Sequence, residues 1–130
     1  MSNIEETIHK FFTQYGWEYE NIGESTWVTG FQGEYNLYYI YVRVTEDWIL
    51  LSISPFVPRP AEAQKAAVYS RLMRANFEMT SVKFCIDDND DVVLAVELTR
   101  RNLPYAAFET ALDALSYYAD IYYPMLLKMV

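Results

Sequence analysis

The order of apolar patterns along this chain predicts an α+β fold, a twisted antiparallel sheet with helices on one face in the order α-β-β-β-α-β-β-α. Three observations carry that reading. Apolar residues recur at helical spacing in three separate segments, they alternate or cluster at strand spacing in five others, and the connections between consecutive strands are too short for parallel crossovers. At 130 residues the chain has the common size of one domain, and 1–130 is read as a single domain with one core.

The first segment opens with Ser2 and Glu5, a capping-box pattern, and continues with Ile4, Ile8, Phe11, Phe12 and Tyr15 on one helical stripe. Gly16 is placed to end that helix. A polar stretch containing Asn21 and Gly23 follows. Three strand-like runs come next, roughly 26–32, 35–45 and 48–54, rich in Val, Ile, Tyr, Phe and Trp, with turns at Gly33-Glu34 and Glu46-Asp47. In the second of these, Tyr38, Ile40, Val42 and Val44 alternate with Leu37, Tyr39, Tyr41 and Arg43. The aliphatic set is assigned to the core. The other face then carries Leu37, Tyr39 and Tyr41 together, which is not a conventionally polar surface.

The stretch SPFVPRPAEAQ places three prolines within six positions, which breaks the strand and sets Pro60 at the start of a second helix. That helix is expected from about Ala61 to Phe77, with Ala66, Tyr69, Met73 and Phe77 on its apolar stripe. SVKFCID and VVLAVELT read as two further strands facing one core through Val82, Phe84 and Ile86 and through Leu94, Val96 and Leu98. Asn102-Leu103-Pro104 opens the third helix, whose stripe is Phe108, Leu112, Leu115, Ala119 and Tyr122, with Pro124 expected to end or bend its last turn.

Composition narrows the partners. Eighteen acidic residues against ten basic ones give a net charge of −8, which repels nucleic-acid phosphates and anionic membrane surfaces. No apolar run approaches the about 20 residues needed to span a bilayer. The N-terminus MSNIEETIHK lacks the basic start and apolar centre of a signal peptide, and the single cysteine, Cys85, allows no intrachain disulfide. A cytoplasmic protein is the expectation.

Residues able to carry chemistry are few. The segment CIDDNDDVVL invites a calcium site, but an EF-hand register from Asp87 puts Val92 where the glycine belongs and Leu98 where the bidentate glutamate belongs, and the register from Asp88 fails likewise. A solvated hairpin turn is the simpler reading, with weak cation binding as its alternative. His9 is the only histidine, read as a partly exposed helix residue, and Cys85 is read as a buried or half-buried structural thiol. No phosphate-binding, zinc or hydrolase motif occurs. No catalytic, metal or cofactor residue is assigned. Arg71, Arg74, Arg100 and Arg101 are read as solvated charges, the alternative being an anion or partner-docking patch.

Aromatic residues supply the remaining signal. Tyr117-Tyr118 and Tyr122-Tyr123 surround the third helix, so one stripe cannot bury all four. Leu37, Tyr39, Tyr41, Tyr117 and Tyr118 are therefore the candidates for a protein interface.

The run RLMRANFEMTSVKFCIDDNDDVVLAVELTRRNLPYAAFETALDALSYYADIYYPMLL resembles the YbjN-like family, in which a helix ending in an arginine-alanine-asparagine-like stretch precedes an acidic β-hairpin and a helix ending near Tyr-Tyr. The resemblance is strongest from Leu72 to Leu127. It implies a fold similar to the type III secretion chaperones, commonly homodimeric and acting by binding other proteins, in a bacterial family labelled as sensory transduction regulators. It brings no catalytic residues. The leading expectation is a non-enzymatic protein-binding module, chaperone-like or regulatory, a homodimer holding an unidentified protein partner. A different class, a small-ligand sensor with a pocket between sheet and helices lined by Trp27, Trp48 and Tyr69, is the alternative. A divergent enzyme would need a cleft joining His9 or Cys85 to carboxylates.

Overall fold

A computed structural model describes residues 4–130, and the Ser2 cap of the first helix lies outside the described residues. The elements are α1 (Ile4–Tyr15), β1 (Glu20–Gly23), β2 (Thr26–Gln32), β3 (Leu37–Val44), β4 (Trp48–Ile53), a 3-10 turn at Glu62–Gln64, α2 (Lys65–Glu78), β5 (Lys83–Ile86), β6 (Val92–Thr99) and α3 (Tyr105–Leu127). The eight expected elements are present in the expected order. The polar stretch after α1 adds a short strand, β1, which has no apolar alternation to announce it and owes its conformation to pairing with β2.

The six strands form one antiparallel sheet in the order β1-β2-β3-β4-β6-β5. Three hairpins build its first four strands. The chain then crosses by way of α2 to the far edge and returns through the β5–β6 hairpin, so that β6 lies in the interior beside β4. Period-two patterning aims one face at the helices: β3 is exposed and buried in strict alternation, with Tyr38, Ile40, Val42 and Val44 inside. Ile8, Phe11 and Phe12 of α1, Val68, Leu72 and Ala75 of α2, and Phe108, Leu112, Leu115, Ala119, Tyr122 and Leu126 of α3 close over them in a single cluster.

Two helix expectations need correction. The core-facing stripe of α2 is Val68, Leu72 and Ala75, continued by Met79, whereas Ala66, Met73 and Phe77 are exposed and Tyr69 is half-buried. Both stripes have helical spacing, and the small, branched set fits closer to the sheet. Of the two outcomes expected at Pro124, ending the helix is excluded: Pro124 lies within the last turn of α3, which runs on to Leu127.

Polar contacts fix the ends of the sheet. At the β2–β3 turn, the Glu34 amide donates to Asp120 Oδ1 of α3 at 2.9 Å. A Cβ on Gly33 would stand 2.5 Å from that oxygen and from Tyr38 Cε2, so glycine is required there by close approach. At the β5 edge, Asn76 of α2 donates to the Phe84 carbonyl at 3.1 Å and accepts from the Phe84 amide at 2.7 Å. The helix thereby occupies the Phe84 N–H and C=O, which this edge strand would otherwise offer to another chain. Asn76 belongs to the Arg-Ala-Asn stretch of the sequence, where its residue type gave no hint of this pairing.

Candidate functional site: the uncovered face of the sheet

All three helices lie on one face of the sheet, which leaves the opposite face of the central strands open. On β3, Leu37, Tyr39 and Tyr41 are 46%, 52% and 36% exposed. Register extends this surface sideways. Tyr41 lies opposite Val28 of β2 and Ser52 of β4, Ser52 opposite Ala95 of β6, and Arg43 opposite Leu50, which in turn faces Glu97. Trp48, 47% exposed, adds an indole at the start of β4. A shallow groove of about 180 Å³ runs beside Leu37, Tyr39 and Tyr41 to Pro55 and Phe56. Gly30, opposite Tyr39, leaves room for the phenol to lie down on the backbone, with a built Cβ meeting the ring at 3.3 Å. The face thus offers apolar contact area with phenolic tips that can donate or accept, a combination suited to a polypeptide surface.

Tyr117 and Tyr118 are in the helical layer, on the other side of the sheet, and do not join this surface. Tyr117 is exposed. Tyr118 is half-buried, its hydroxyl accepting from the Thr80 amide at 3.1 Å and its ring lying 6.3 Å from that of Tyr122. Tyr122 is buried and donates to Glu78 Oε1 at 2.8 Å, and half-buried Tyr123 packs edge-on against Tyr38 and Phe56. Burial together with the Glu78 carboxylate pushes the Tyr122 phenol up to about 12, and the hydrogen bond from Tyr122 holds Glu78 below its ordinary range, with Arg71 adding to the effect.

The pocket expected from Trp27, Trp48 and Tyr69 is not assembled. Trp27 is buried on the helix-facing side of β2, Trp48 stands on the open side of β4, and Tyr69 is half-buried on α2, because strand alternation sends the two indoles to opposite faces. His9 is exposed on α1, where its Nδ1 meets the Tyr19 hydroxyl. Cys85, expected to be buried or half-buried, is exposed on β5; partial desolvation, then Asp87 and Glu97, push its thiol up, away from the reactive thiolate. It faces outward because Phe84 takes the core position beside it.

The acidic segment is a hairpin turn whose charges are used locally. Asp87 Oδ1 accepts from the amides of Asn89 and Asp91, both at 2.9 Å, and Asp90 adopts a left-handed φ of 64°. Arg59 reaches Asp91 at 3.0 Å and Lys65 reaches Asp90 at 3.4 Å, tying the turn to the segment before α2 and to the first residue of that helix. Among the described residues no group of three or more His, Cys, Asp or Glu could hold a metal ion. The arginines are also engaged separately: Arg71 with Glu78 at 3.3 Å and over the Tyr122 ring, Arg100 with the Thr45 carbonyl at 2.9 Å.

The α+β fold, an antiparallel sheet with its helices on one face, is shared with solved secretion-chaperone structures. The chain is similar to a chain of the heterodimeric ExoU-SpcU complex from the type III secretion system of Pseudomonas aeruginosa, with TM-score 0.64, 17% identity, and 95% of this chain and 97% of that one covered. It is also similar to a chain of the ExsC-ExsE complex, with TM-score 0.67, 15% identity, and coverage of 95% and 93%. YbjN from E. coli aligns with TM-score 0.66, 12% identity, and coverage of 91% and 90%. The sequence matches no curated protein. The model of the YbjN family, described as "Putative bacterial sensory transduction regulator", matches residues 5–128, and the chain belongs to that family. No helix among the described residues is long and apolar enough to cross a membrane.

Proposed function

We propose that this chain is a non-enzymatic, chaperone-like or regulatory module that works as a cytoplasmic homodimer and holds an extended or partly folded segment of another protein. The observation that carries the reading is the open sheet face, where Leu37, Tyr39 and Tyr41 stand exposed while every helix packs on the other side. Apolar and aromatic surface of this kind gains most from being covered by a polypeptide, which brings side chains for the apolar area and backbone groups for the phenols. Structural neighbours solved as complexes with protein partners support the same class of role. Asn76, bound to both backbone groups of Phe84, obstructs strand addition at the β5 edge and favours capture on the face.

The test compares wild type with Tyr39→Ala/Tyr41→Ala. Affinity capture from the native organism identifies the partner by mass spectrometry, and titration calorimetry with the purified partner measures the difference. Loss of at least about tenfold in affinity, with an unchanged circular dichroism spectrum, is expected. A partner bound equally well by both proteins would count against the face.

A further inference from the structure

The charge of this chain is unevenly placed. Residues 4–34, which form α1, β1, β2 and the start of the turn after them, carry six glutamates against one lysine or arginine, Lys10. Helix α3 adds Glu109, Asp113 and Asp120 and has no basic residue. The nine acidic residues elsewhere are matched by nine basic ones, so the whole net charge of −8 belongs to these two parts of the chain. Packing brings them together: the Phe11 ring of α1 lies 5.3 Å from that of Phe108 of α3, and the Tyr15 hydroxyl donates to Asp113 Oδ1 at 2.5 Å.

The acidic part also contains an open sheet edge. Strand β1 ends the sheet, all four of its residues are exposed, and no strand among the described residues pairs with its outer side. At the opposite end, by contrast, Asn76 takes both backbone groups of Phe84. An edge strand presents backbone donors and acceptors that an extended polypeptide can satisfy, which makes a polypeptide the fitting occupant.

Charge selects which polypeptide. Glu18, Glu20 and Glu24 are exposed along and beside β1 and form no ion pair among the described residues. Glu20 lies opposite Val28, which lies opposite Tyr41, so its side chain belongs to the open face of the sheet. A strand added outside β1 sets a side chain directly beside Glu20 on that face, where an opposite charge stabilises the pairing and a like charge weakens it. A second copy of the chain pairing through the same edge would bring glutamates against glutamates, whereas a segment bearing lysine or arginine gains at each of them. Ile22, 48% exposed where the register skips between Asn21 and Gly23, supplies apolar contact. A shallow groove of about 300 Å³ between the β1–β2 turn and the start of α1, with Glu5 and Glu24 on its walls, continues the acidic surface.

We propose that the outer edge of β1 takes up an extended segment of another polypeptide, with basic residues at alternate positions, as an added strand. The site is separate from Leu37, Tyr39 and Tyr41 and does not depend on their role. The probe is a fluorescein-labelled peptide alternating lysine with threonine, which favours strands and brings no apolar ring to the tyrosine face. It is titrated with the full chain at low ionic strength and followed by fluorescence anisotropy. Replacing its lysines by glutamates should abolish binding, and methylating its backbone amides, which keeps the charge and removes the donors, should weaken binding at least about tenfold. In the protein, Glu20→Lys/Glu24→Lys should weaken binding at least about tenfold with an unchanged circular dichroism spectrum. Asp88→Lys/Glu97→Lys, an equal change of charge at exposed positions on the β5–β6 side of the sheet, and Tyr39→Ala/Tyr41→Ala should both stay within about twofold of wild type. A methylated peptide that binds as well as the unmodified one reduces the interaction to bulk charge and overturns the added strand. Equal losses from the two charge variants overturn the site, and a wild type that binds no lysine peptide overturns both. Each of these failures leaves the sheet-face reading standing, because that reading is measured by the tyrosine variants against the captured partner.

Discussion

Tyr38 and Tyr39 are the same residue type at adjacent positions, yet one is 2% and the other 52% exposed. The strand sends them to opposite faces, and everything else follows from what waits on each side. Tyr38 lies in an aromatic layer with Phe31, Phe56 and Tyr123, all with centroids within 6.1 Å, and donates to the Ala119 carbonyl at 3.4 Å. Tyr39 has only Gly30 opposite it and the groove beside it. The same side chain is a structural pillar on one face and free contact surface on the other. Residue type alone therefore says little about role in a chain with twelve tyrosines.

The largest effect that would sharpen this contrast is on Tyr38. Tyr38→Ala removes a buried ring and should cost about 3–5 kcal/mol in chemical denaturation, enough to threaten folding. A loss below about 1 kcal/mol would mean that the aromatic layer is loosely packed. A smaller effect distinguishes the buried phenols by pH. Tyr122 is raised to about 12 from 10.0, and Tyr15 and Tyr38 are raised as well, chiefly by burial. A raised acid binds its proton more tightly in the folded state, so its stabilisation is complete below the unfolded value near 10 and is lost as pH rises through the folded value. Thermal unfolding should therefore fall progressively above pH 10, and Tyr122→Phe should flatten the decline. A wild-type melting temperature level from pH 9 to about 11 would contradict the shifts. The smallest effect belongs to Tyr39→Ala, which should change stability by less than about 1 kcal/mol while weakening partner binding. If it destabilised as much as Tyr38→Ala, the open face would be part of the core.

How much of this could be read from residues depends on the element. The strands β2, β3 and β4 were legible because period-two alternation in β3 and short turns admit few other arrangements, and the third helix was legible because Phe108, Leu112, Leu115, Ala119 and Tyr122 form its dominant stripe. For α2, two stripes of similar spacing compete, and the larger side chains of Met73 and Phe77 pointed to the wrong one. The interface candidates divided in the same way. Leu37, Tyr39 and Tyr41 share one face because alternation alone puts them there, while Tyr117 and Tyr118 sit in the helical layer for reasons of packing that no local pattern carries.

The sequence by itself determined the element order, the core face of β3 and the failure of the acidic segment as an EF-hand, because each rests on spacing along a few consecutive residues. Only the tertiary structure decided which stripe of α2 is buried, that Asn76 takes up the Phe84 backbone at the β5 edge, and that Arg59 and Lys65 take up the acidic turn. Those contacts join residues far apart in the chain or select between locally equivalent faces, and the free energy that chooses among them comes from packing partners the local sequence does not contain.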